Sequence, residues 1–169
     1  MPSIDAETRT VSITSAAELA WVAWKCMQGT TFAEYTILLE NDIDLSGHLW
    51  MPIGGRDKNG NGGSSTNPFS GVFDGQGHRI YGMVCSDTDN MFNNYTALFG
   101  ILSDGTIRNL SVDGNVTASA NASILVGLLG TFGTSSAILN CDVKGTITTF
   151  AKNSVGALIG SAYCGTIYN

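Results

Sequence analysis

Short apolar runs that end in glycine dominate the second half of the chain. YTALFG (residues 95–100), LVGLLG (125–130) and VGALIG (155–160) are too short for the 3.6-residue period of an amphipathic helix. Each run therefore predicts a short β-strand. The last glycines of these runs stand at positions 100, 130 and 160, which predicts a structural repeat of about thirty residues.

The residues between the apolar runs repeat as well. GTIRNLSVDGNV (105–116), SAILNCDVKGTI (136–147) and GTIYN (165–169) superpose, and a fainter copy, GHRIYGMVC (77–85), precedes them. Asparagines at the same corner of successive repeats can pass side-chain amide hydrogen bonds from one repeat to the next, so they need no catalytic explanation. The alignment predicts these columns of residues on neighbouring strands: Ile80, Ile107, Ile138 and Ile167; Gly82, Asn109, Asn140 and Asn169; Leu110 and Cys141; Gly114 and Gly145; and Cys85, Val112 and Val143.

A repeat of this size cannot bury its apolar side alone. Repeats that contain short strands solve the problem by stacking on one another, so that columns of like residues meet. We therefore predict an all-β fold, a parallel β-helix in which residues 35–169 supply the coils.

A helical pattern precedes the repeats. In residues 14–29, Ser15 and Glu18 have the spacing of a capping box, and Gly29 can end the helix. Because the end of a stack of strands exposes unpaired edges, we predict that this helix covers the N-terminal end of the coils. Its apolar face consists of Leu19, Val22, Ala23, Cys26 and Met27.

Composition and charge narrow the classes of partner. The net charge is −6 and the eight Lys and Arg residues are scattered, which argues against nucleic acid as a partner. The longest apolar run is too short to span a bilayer, so membrane insertion is not expected.

A chain of 169 residues predicts a single domain, residues 1–169. Four cysteines lack CxxC spacing and predict neither a zinc site nor a disulfide framework: Cys26, Cys85, Cys141 and Cys164.

Several ordered motifs resemble one known family. DIDLSGHLWMPIG (42–54), FSGVFDGQGHRIYGM (69–83) and the three repeats that follow resemble the bacterial surface proteins that carry GLUG motifs. This resemblance implies a right-handed parallel β-helix. It also implies an extracellular location at the bacterial cell surface, as in adhesin-like proteins and in accessory segments of larger proteins such as some immunoglobulin-cleaving metallopeptidases.

The function implied by the resemblance is that of a non-catalytic module. We expect it to act as a binding segment or a spacer, with a glycan or a host protein as partner and its flat face and loops, chiefly 54–68 and 86–94, as contact surface. A structural stalk without a ligand is a further possibility. The chain stops at Asn169 in mid-repeat, which predicts a fragment with neighbouring domains in a longer protein.

One loop has the spacing of a cation-binding motif. DKNGNGG (57–63) places oxygen-bearing side chains at alternate positions and glycine at the sixth, as in calcium loops. The twelfth position, where a bidentate acid is required, is Pro68. We expect an uncomplexed loop, with no metal and no cofactor.

Asp74 and His78 carry the rival, enzymatic interpretation. They lie in FDGQGH (73–78), and an aspartate and a histidine could serve as acid and base in a polysaccharide lyase or glycosidase. A glycosidase needs a second carboxylate facing a cleft, and none is evident. We therefore predict a tight turn there, no catalytic residue, and a surface or turn position for His48.

Overall fold

The strands and the helix are short and follow one another closely along the chain. A computed structural model describes residues 1–63, 66–88, 95–150 and 154–169. The helix, α1, is Ala16–Met27. The strands are β1 (Ser3–Asp5), β2 (Thr10–Ile13), β3 (Thr36–Leu39), β4 (Ile43–Asp44), β5 (Val72–Asp74), β6 (Arg79–Asp87), β7 (Tyr95–Thr96), β8 (Phe99–Leu102), β9 (Thr106–Ala118), β10 (Asn121–Ala122), β11 (Val126–Leu129), β12 (Ala137–Thr149), β13 (Ile159–Ala162) and β14 (Thr166–Tyr168).

The predicted helix is present, with a different cap. Ser15 occupies the N-cap position but makes no side-chain capping bond. Instead the Glu18 carboxylate accepts hydrogen bonds from the backbone N–H and the hydroxyl of Thr14, at 2.9 and 3.0 Å. Glu18 therefore reaches one residue further back than a capping box requires.

The strands form a mixed nine-stranded sheet and two smaller parallel sheets. The large sheet runs β1-β2-β3-β5-β9-β12-β14, with β6 paired to both β4 and β9. Among the described residues, β1 and β2 are the one pair that runs antiparallel within it, and no sequence motif predicted that hairpin. The smaller sheets are β13-β11-β8 and β10-β7.

Several predicted columns are confirmed by the register of β9, β12 and β14. Ile138 pairs with Ile107 on one side and with Ile167 on the other. Leu110 pairs with Cys141 and Gly114 with Gly145. The side-chain amide of Asn140 donates to the Asn109 Oδ1 at 3.3 Å, so the predicted asparagine contact also forms.

Three predicted placements are wrong. Gly82 does not lie in the column of Asn109, because it falls in the irregular segment between Ile80 and Met83, which pair with Val112 and Gly114. Ile80, which the alignment placed beside Ile107, pairs instead with Val112. The residue that pairs with Ile107 from the preceding strand, β5, is Phe73. Cys85 pairs with Val116 rather than with Val112. The register of β6 shifts between Ile80 and Met83, and an irregularity of this kind cannot be found by aligning sequence repeats.

The right-handed parallel β-helix predicted from the sequence is contradicted. None of the three sheets forms a solenoid, and the largest is mixed because of the β1–β2 hairpin. Part of the reason lies at Asn109 and Asn140, whose φ angles of 53° and 50° bend β9 and β12 without ending them. β9 can then pair with both β5 and β6, so these two strands join a single sheet through β9.

The core is one apolar cluster to which α1 and all three sheets contribute. Phe69, Phe73 and Phe99 lie at its centre, with ring centroids 5.2 to 5.4 Å apart for the pairs that include Phe99. Cys26, Cys85 and Cys141 are buried, as predicted, and Cys164 is half-buried. All four thiols are free, and burial raises the pKa of the first three.

Candidate functional site

One surface hollow lies between α1 and the segment that follows β4. It has a volume of about 350 Å³ and is lined by Ala16, Ala17, Ala20, Leu45, His48, Leu49 and Trp50. A second hollow of about 210 Å³ adjoins it and adds Ala23, Trp24, Met27 and Met51 to the lining. The two share Ala20, Leu49 and Trp50, and we call them together the helix groove.

Hydrogen bonds fix the wall of the helix groove opposite α1. Backbone N–H groups of Leu45 and Trp50 donate to the carbonyls of Tyr81 and Val84, at 2.8 and 2.7 Å. The buried Trp50 ring also donates its Nε1–H to the Leu98 carbonyl at 3.0 Å. Because this wall is bonded to the sheet, the groove is formed before any ligand arrives.

Exposed apolar side chains surround the helix groove. Leu49 is 72% exposed, Trp24 48% and Met51 39%. Large apolar side chains that are exposed and adjacent are typical of binding surfaces, whereas scattered ones are ordinary. The position of His48 on the surface is confirmed, and its ring contributes a polar group to the lining.

α1 has two apolar faces, and the sequence analysis identified only one. Leu19, Val22, Ala23 and Cys26 are buried in the core, as predicted, whereas Met27, predicted on the same face, is half-buried and lines the groove. The missed face carries Ala16, Ala17, Ala20 and Trp24 and lines the groove. The sequence does contain a sign of this second face. The twelve residues of the helix, AAELAWVAWKCM, include two charged residues, Glu18 and Lys25, so a single core face cannot account for all the apolar ones.

The calcium-like loop is organised by its own amides. Asp57 Oδ1 accepts the backbone N–H groups of Asn59 and Asn61, both at 2.8 Å, and Oδ2 accepts the Asn61 side-chain amide at 3.0 Å. These hydrogen bonds, with that of the Asn61 side chain first, lower the pKa of the Asp57 carboxyl. The Asp57 carboxylate is surrounded by three N–H donors. A cation bound there would instead require oxygen ligands around it.

Asp74 is held by donors from three residues rather than aimed into a cleft. Its Oδ2 accepts from Arg108 Nε at 2.9 Å, and its Oδ1 accepts the Asn109 amide at 3.0 Å and the Gln76 N–H at 2.9 Å. Burial acts to raise the pKa of this carboxyl, but the hydrogen bonds and the Arg108 charge outweigh it, and the pKa is lowered. A general acid requires a raised pKa, so this environment does not suit acid catalysis.

His78 faces a different carboxylate. Its Nδ1 lies 3.3 Å from Asp42 Oδ1, which also accepts the backbone N–H of Arg79 at 2.9 Å. The structure thus places His78 with Asp42 and places Asp74 with Arg108. The two residues proposed for an acid and base pair have separate partners.

A smaller polar groove crosses the outer face of β6, β9 and β12. It has a volume of about 290 Å³ and includes Arg79, Asp113, Asp142 and Lys144 in its lining. Arg79 donates to Asp113 at 2.7 Å, and its guanidinium lies 5.3 Å from the Tyr81 ring centroid. We call this set the polar groove.

Parts of the predicted contact loops fall outside the described residues, namely 64–65 in loop 54–68 and 89–94 in loop 86–94. In the described part of the chain, no cluster of three or more His, Cys, Asp or Glu side chains could hold a metal ion. Across those same residues, no helix is both long and apolar enough to span a bilayer.

Comparison with known proteins finds two similarities. A protein of Evansella cellulosilytica named "Putative Gly-rich membrane protein" is 36% identical over 102 residues, which cover 56% of this chain and 10% of that protein. This chain therefore spans about a tenth of the relative's length. No family model matches the chain, so membership of the GLUG family is not established.

The fold resembles that of a crystal structure from Bacteroides ovatus. The protein is described as "a putative immunoglobulin A1 protease", and it aligns with a TM-score of 0.56 and 18% identity. The alignment covers 94% of this chain and 63% of that one. At this identity the likeness concerns the fold alone.

Proposed function

We propose that this chain is a non-catalytic binding module of a longer bacterial cell-envelope protein, and that it docks a protein partner through the helix groove. The observation that carries the proposal is the groove itself, an apolar hollow about 350 Å³ in volume with exposed Leu49 beside it. A well-formed apolar hollow with a few polar groups is a usual location of a ligand site.

The lining of the groove suits apolar side chains of a protein. Ala16, Ala17 and Ala20 allow a partner backbone to approach α1 closely, while Trp24 and Met51 provide large apolar surfaces beside it. Burying one Leu or Phe side chain of the partner contributes roughly 1.5–3 kcal/mol. Two such side chains give roughly 3–6 kcal/mol, which is less than the about 8 kcal/mol of micromolar binding even before the entropy of association is subtracted, so a stably bound partner must contact the groove through more than two side chains.

The arrangement of the titratable groups supports a non-catalytic role. Asp74 is ion-paired with Arg108, and His78 lies against Asp42. Neither pair lines the helix groove. The relative's name and its much greater length support the proposal that this chain works inside an envelope protein.

A substitution in the groove tests the proposal. A library of displayed random peptides is selected on the wild-type chain, and the enriched peptides are titrated against Ala20→Gln, which fills the groove with a residue that helices accept. We expect enriched peptides rich in aromatic and aliphatic residues, and affinity at least tenfold weaker for Ala20→Gln. The matched control is Ala33→Gln, at an exposed alanine outside the groove lining.

Circular dichroism spectra of both variants, compared with that of the wild type, check that the substitutions leave the fold intact. Unchanged affinity for Ala20→Gln would remove the helix groove as the site. A selection that enriches no peptide would contradict docking of a protein partner.

A second candidate ligand is a glycan at the polar groove. The observation that favours it is the fixed set of donors and acceptors, with Arg79 held between Asp113 and the Tyr81 ring. A panel of bacterial and host glycans tests it, because Asp113→Asn releases Arg79 and should abolish any signal that the wild type gives. Signals of equal strength from both proteins would rule out this groove.

A further inference from the structure

The loop of residues 57–63 contains two asparagines that are each followed by a glycine, Asn59–Gly60 and Asn61–Gly62. Both asparagines are exposed to solvent. An asparagine loses its side-chain nitrogen when the backbone nitrogen of the next residue attacks the side-chain carbonyl carbon. Glycine in the next position favours this reaction, because it has no side chain to obstruct the attack. The sequence alone therefore marks the two positions equally.

The fold distinguishes the two glycine nitrogens that would make this attack. Gly60 donates its backbone N–H to the Asp57 carbonyl at 3.0 Å, so its nitrogen is held in a turn. The attack on Asn59 must break that hydrogen bond, which costs free energy. The turn therefore protects Asn59.

The nitrogen of Gly62 has a different orientation. Gly62 and Arg56 face each other in an antiparallel bridge, and beside this pair the Asn61 carbonyl accepts the Asp57 N–H at 2.8 Å. The C=O of Asn61 and the N–H of Gly62 belong to one trans peptide unit, so they point in opposite directions. The Gly62 N–H consequently points away from Asp57, and among the described residues it donates no hydrogen bond.

The bonds that hold the side chain of Asn61 leave the reacting carbon accessible. Its amide donates to Asp57 Oδ2 at 3.0 Å, and its backbone N–H donates to Asp57 Oδ1 at 2.8 Å. Both bonds are made by nitrogen atoms, so they do not enclose the carbonyl carbon that the Gly62 nitrogen would attack. The attack at this position breaks no backbone hydrogen bond of the attacking nitrogen.

We propose that Asn61 is a site of spontaneous deamidation, and that its conversion releases the loop. The Gly62 nitrogen gives its proton to water and forms a bond to the side-chain carbonyl carbon of Asn61. The amide nitrogen takes up a proton from water and leaves as ammonia, which closes a five-membered imide. One water molecule then opens the imide to aspartate or to isoaspartate. Water is the co-reactant, and nothing is oxidised or reduced.

The product cannot hold the loop as the amide does. A carboxylate at position 61 has no N–H to donate to Asp57 Oδ2, and it places a second negative charge where the amide lay 3.0 Å away. Like charges this close repel one another. In the isoaspartate form the main chain is also one carbon longer, which displaces the carbonyl that accepts the Asp57 N–H. The exposed Lys58, which lies between these bonded residues, then becomes easier to cleave.

Mass spectrometry of the wild-type chain tests the choice of site. The chain is incubated at mildly alkaline pH, and peptide mapping follows aspartate and isoaspartate at both positions over time. We expect Asn61 to convert at least about fivefold faster than Asn59, since one hydrogen bond contributes roughly that factor. In guanidinium chloride, where the turn and the bridge are lost, the two should convert at similar rates.

Three outcomes would overturn the proposal. They are no conversion at Asn61, conversion of Asn59 at an equal or higher rate in the folded chain, and a preference for Asn61 that persists in guanidinium chloride. Gly62→Ala adds a side chain beside the attacking nitrogen, so it should slow conversion of Asn61 and leave that of Asn59 unchanged.

Limited proteolysis tests the release of the loop. Asn61→Asp carries the product side chain, and trypsin should cut it after Lys58 several times faster than it cuts the wild type. The matched control is Asn115→Asp, at an exposed asparagine of β9 outside the loop, and it should be cut after Lys58 at the wild-type rate. Equal cleavage of Asn61→Asp and the wild type would contradict the release.

Discussion

At the scale of single residues, Asn109 and Asp74 depend on each other. Asn109 bends β9 with a φ of 53°, a left-handed conformation that asparagine tolerates better than most residues. Its amide then donates to Asp74 Oδ1, and its own oxygen accepts from Asn140. The bend of the strand and the position of a buried carboxylate are therefore set by the same side chain.

The lowered pKa of Asp74 predicts how stability responds to acid. A carboxyl whose pKa is lower in the folded state contributes stability above its ordinary value of 3.8, and that contribution is lost as the pH falls through the folded pKa. Asp74→Asn lacks the titrating group, so we expect about 2 kcal/mol less stability near pH 7 and a shallower loss below pH 3.8.

Urea unfolding at several pH values measures this difference. Asp44→Asn is the control, because Asp44 is exposed and its carboxylate accepts from Ser46, not from a cation. Parallel pH profiles for Asp74→Asn and the wild type would contradict the assigned role of this carboxylate.

Residue types at regular spacing were predictable, and residue partners distant in sequence were not. The column of Asn109 and Asn140 follows from the repeat, because their environments are the same in successive repeats. The bond from Arg108 to Asp74 links residues 34 positions apart that share no motif. No local pattern marks such a partner, so Asp74 could be read from the sequence as a catalytic acid.

At the scale of elements, the glycines paired across β9 and β12 allow the two strands to approach closely. A Cβ at Gly145 would overlap the carbonyl oxygen of Gly114, and the φ of Gly145 is 144°. Gly145→Ala is therefore expected to cost roughly 3 kcal/mol through strain and overlap together.

Gly77→Ala separates the two causes. Gly77 also has a positive φ, 82°, but a Cβ there meets nothing within 4 Å. We expect this control to cost about 1 kcal/mol, from the backbone alone. Equal shifts in the melting temperatures of the two variants would show that the close approach contributes nothing.

The type of a secondary-structure element was easier to predict than the contacts that the element makes. The capping signals and the apolar face of α1 were sufficient to place the helix, since both are local. Its second face could be assigned only when the segment from Leu45 to Met51 was seen beside it. That segment is held by bonds to Tyr81, Val84 and Leu98, and these have no signature in the sequence.

At the scale of the whole molecule, the sequence repeat predicted the pairing of several strands but not the overall architecture. The repeat correctly predicted which residues of β9, β12 and β14 lie side by side. It predicted a corner at Asn109 and Asn140, but it did not predict the β1–β2 hairpin or that β9 and β12 continue through their bends, which combines the strands into a mixed sheet and two smaller ones. Column alignment specifies neighbours, and the hand and closure of a sheet depend on backbone angles that the alignment does not contain.

The surfaces of the molecule differ in their chemistry. The helix groove is apolar and preformed, and the polar groove carries paired charges. Two grooves with different chemistry allow a module to bind different partners at separate places. Variants in one groove should therefore leave the other unaffected, since the two grooves share no residues.

The most direct measurement of the central claim is a nuclear magnetic resonance titration of the wild-type chain with an enriched peptide. Trp24 lines the helix groove and is 48% exposed, so its indole resonance should shift, together with the amides of Ala20, Leu49 and Met51. Shifts confined to the polar groove or to β14, with the Trp24 resonance unchanged, would contradict the account.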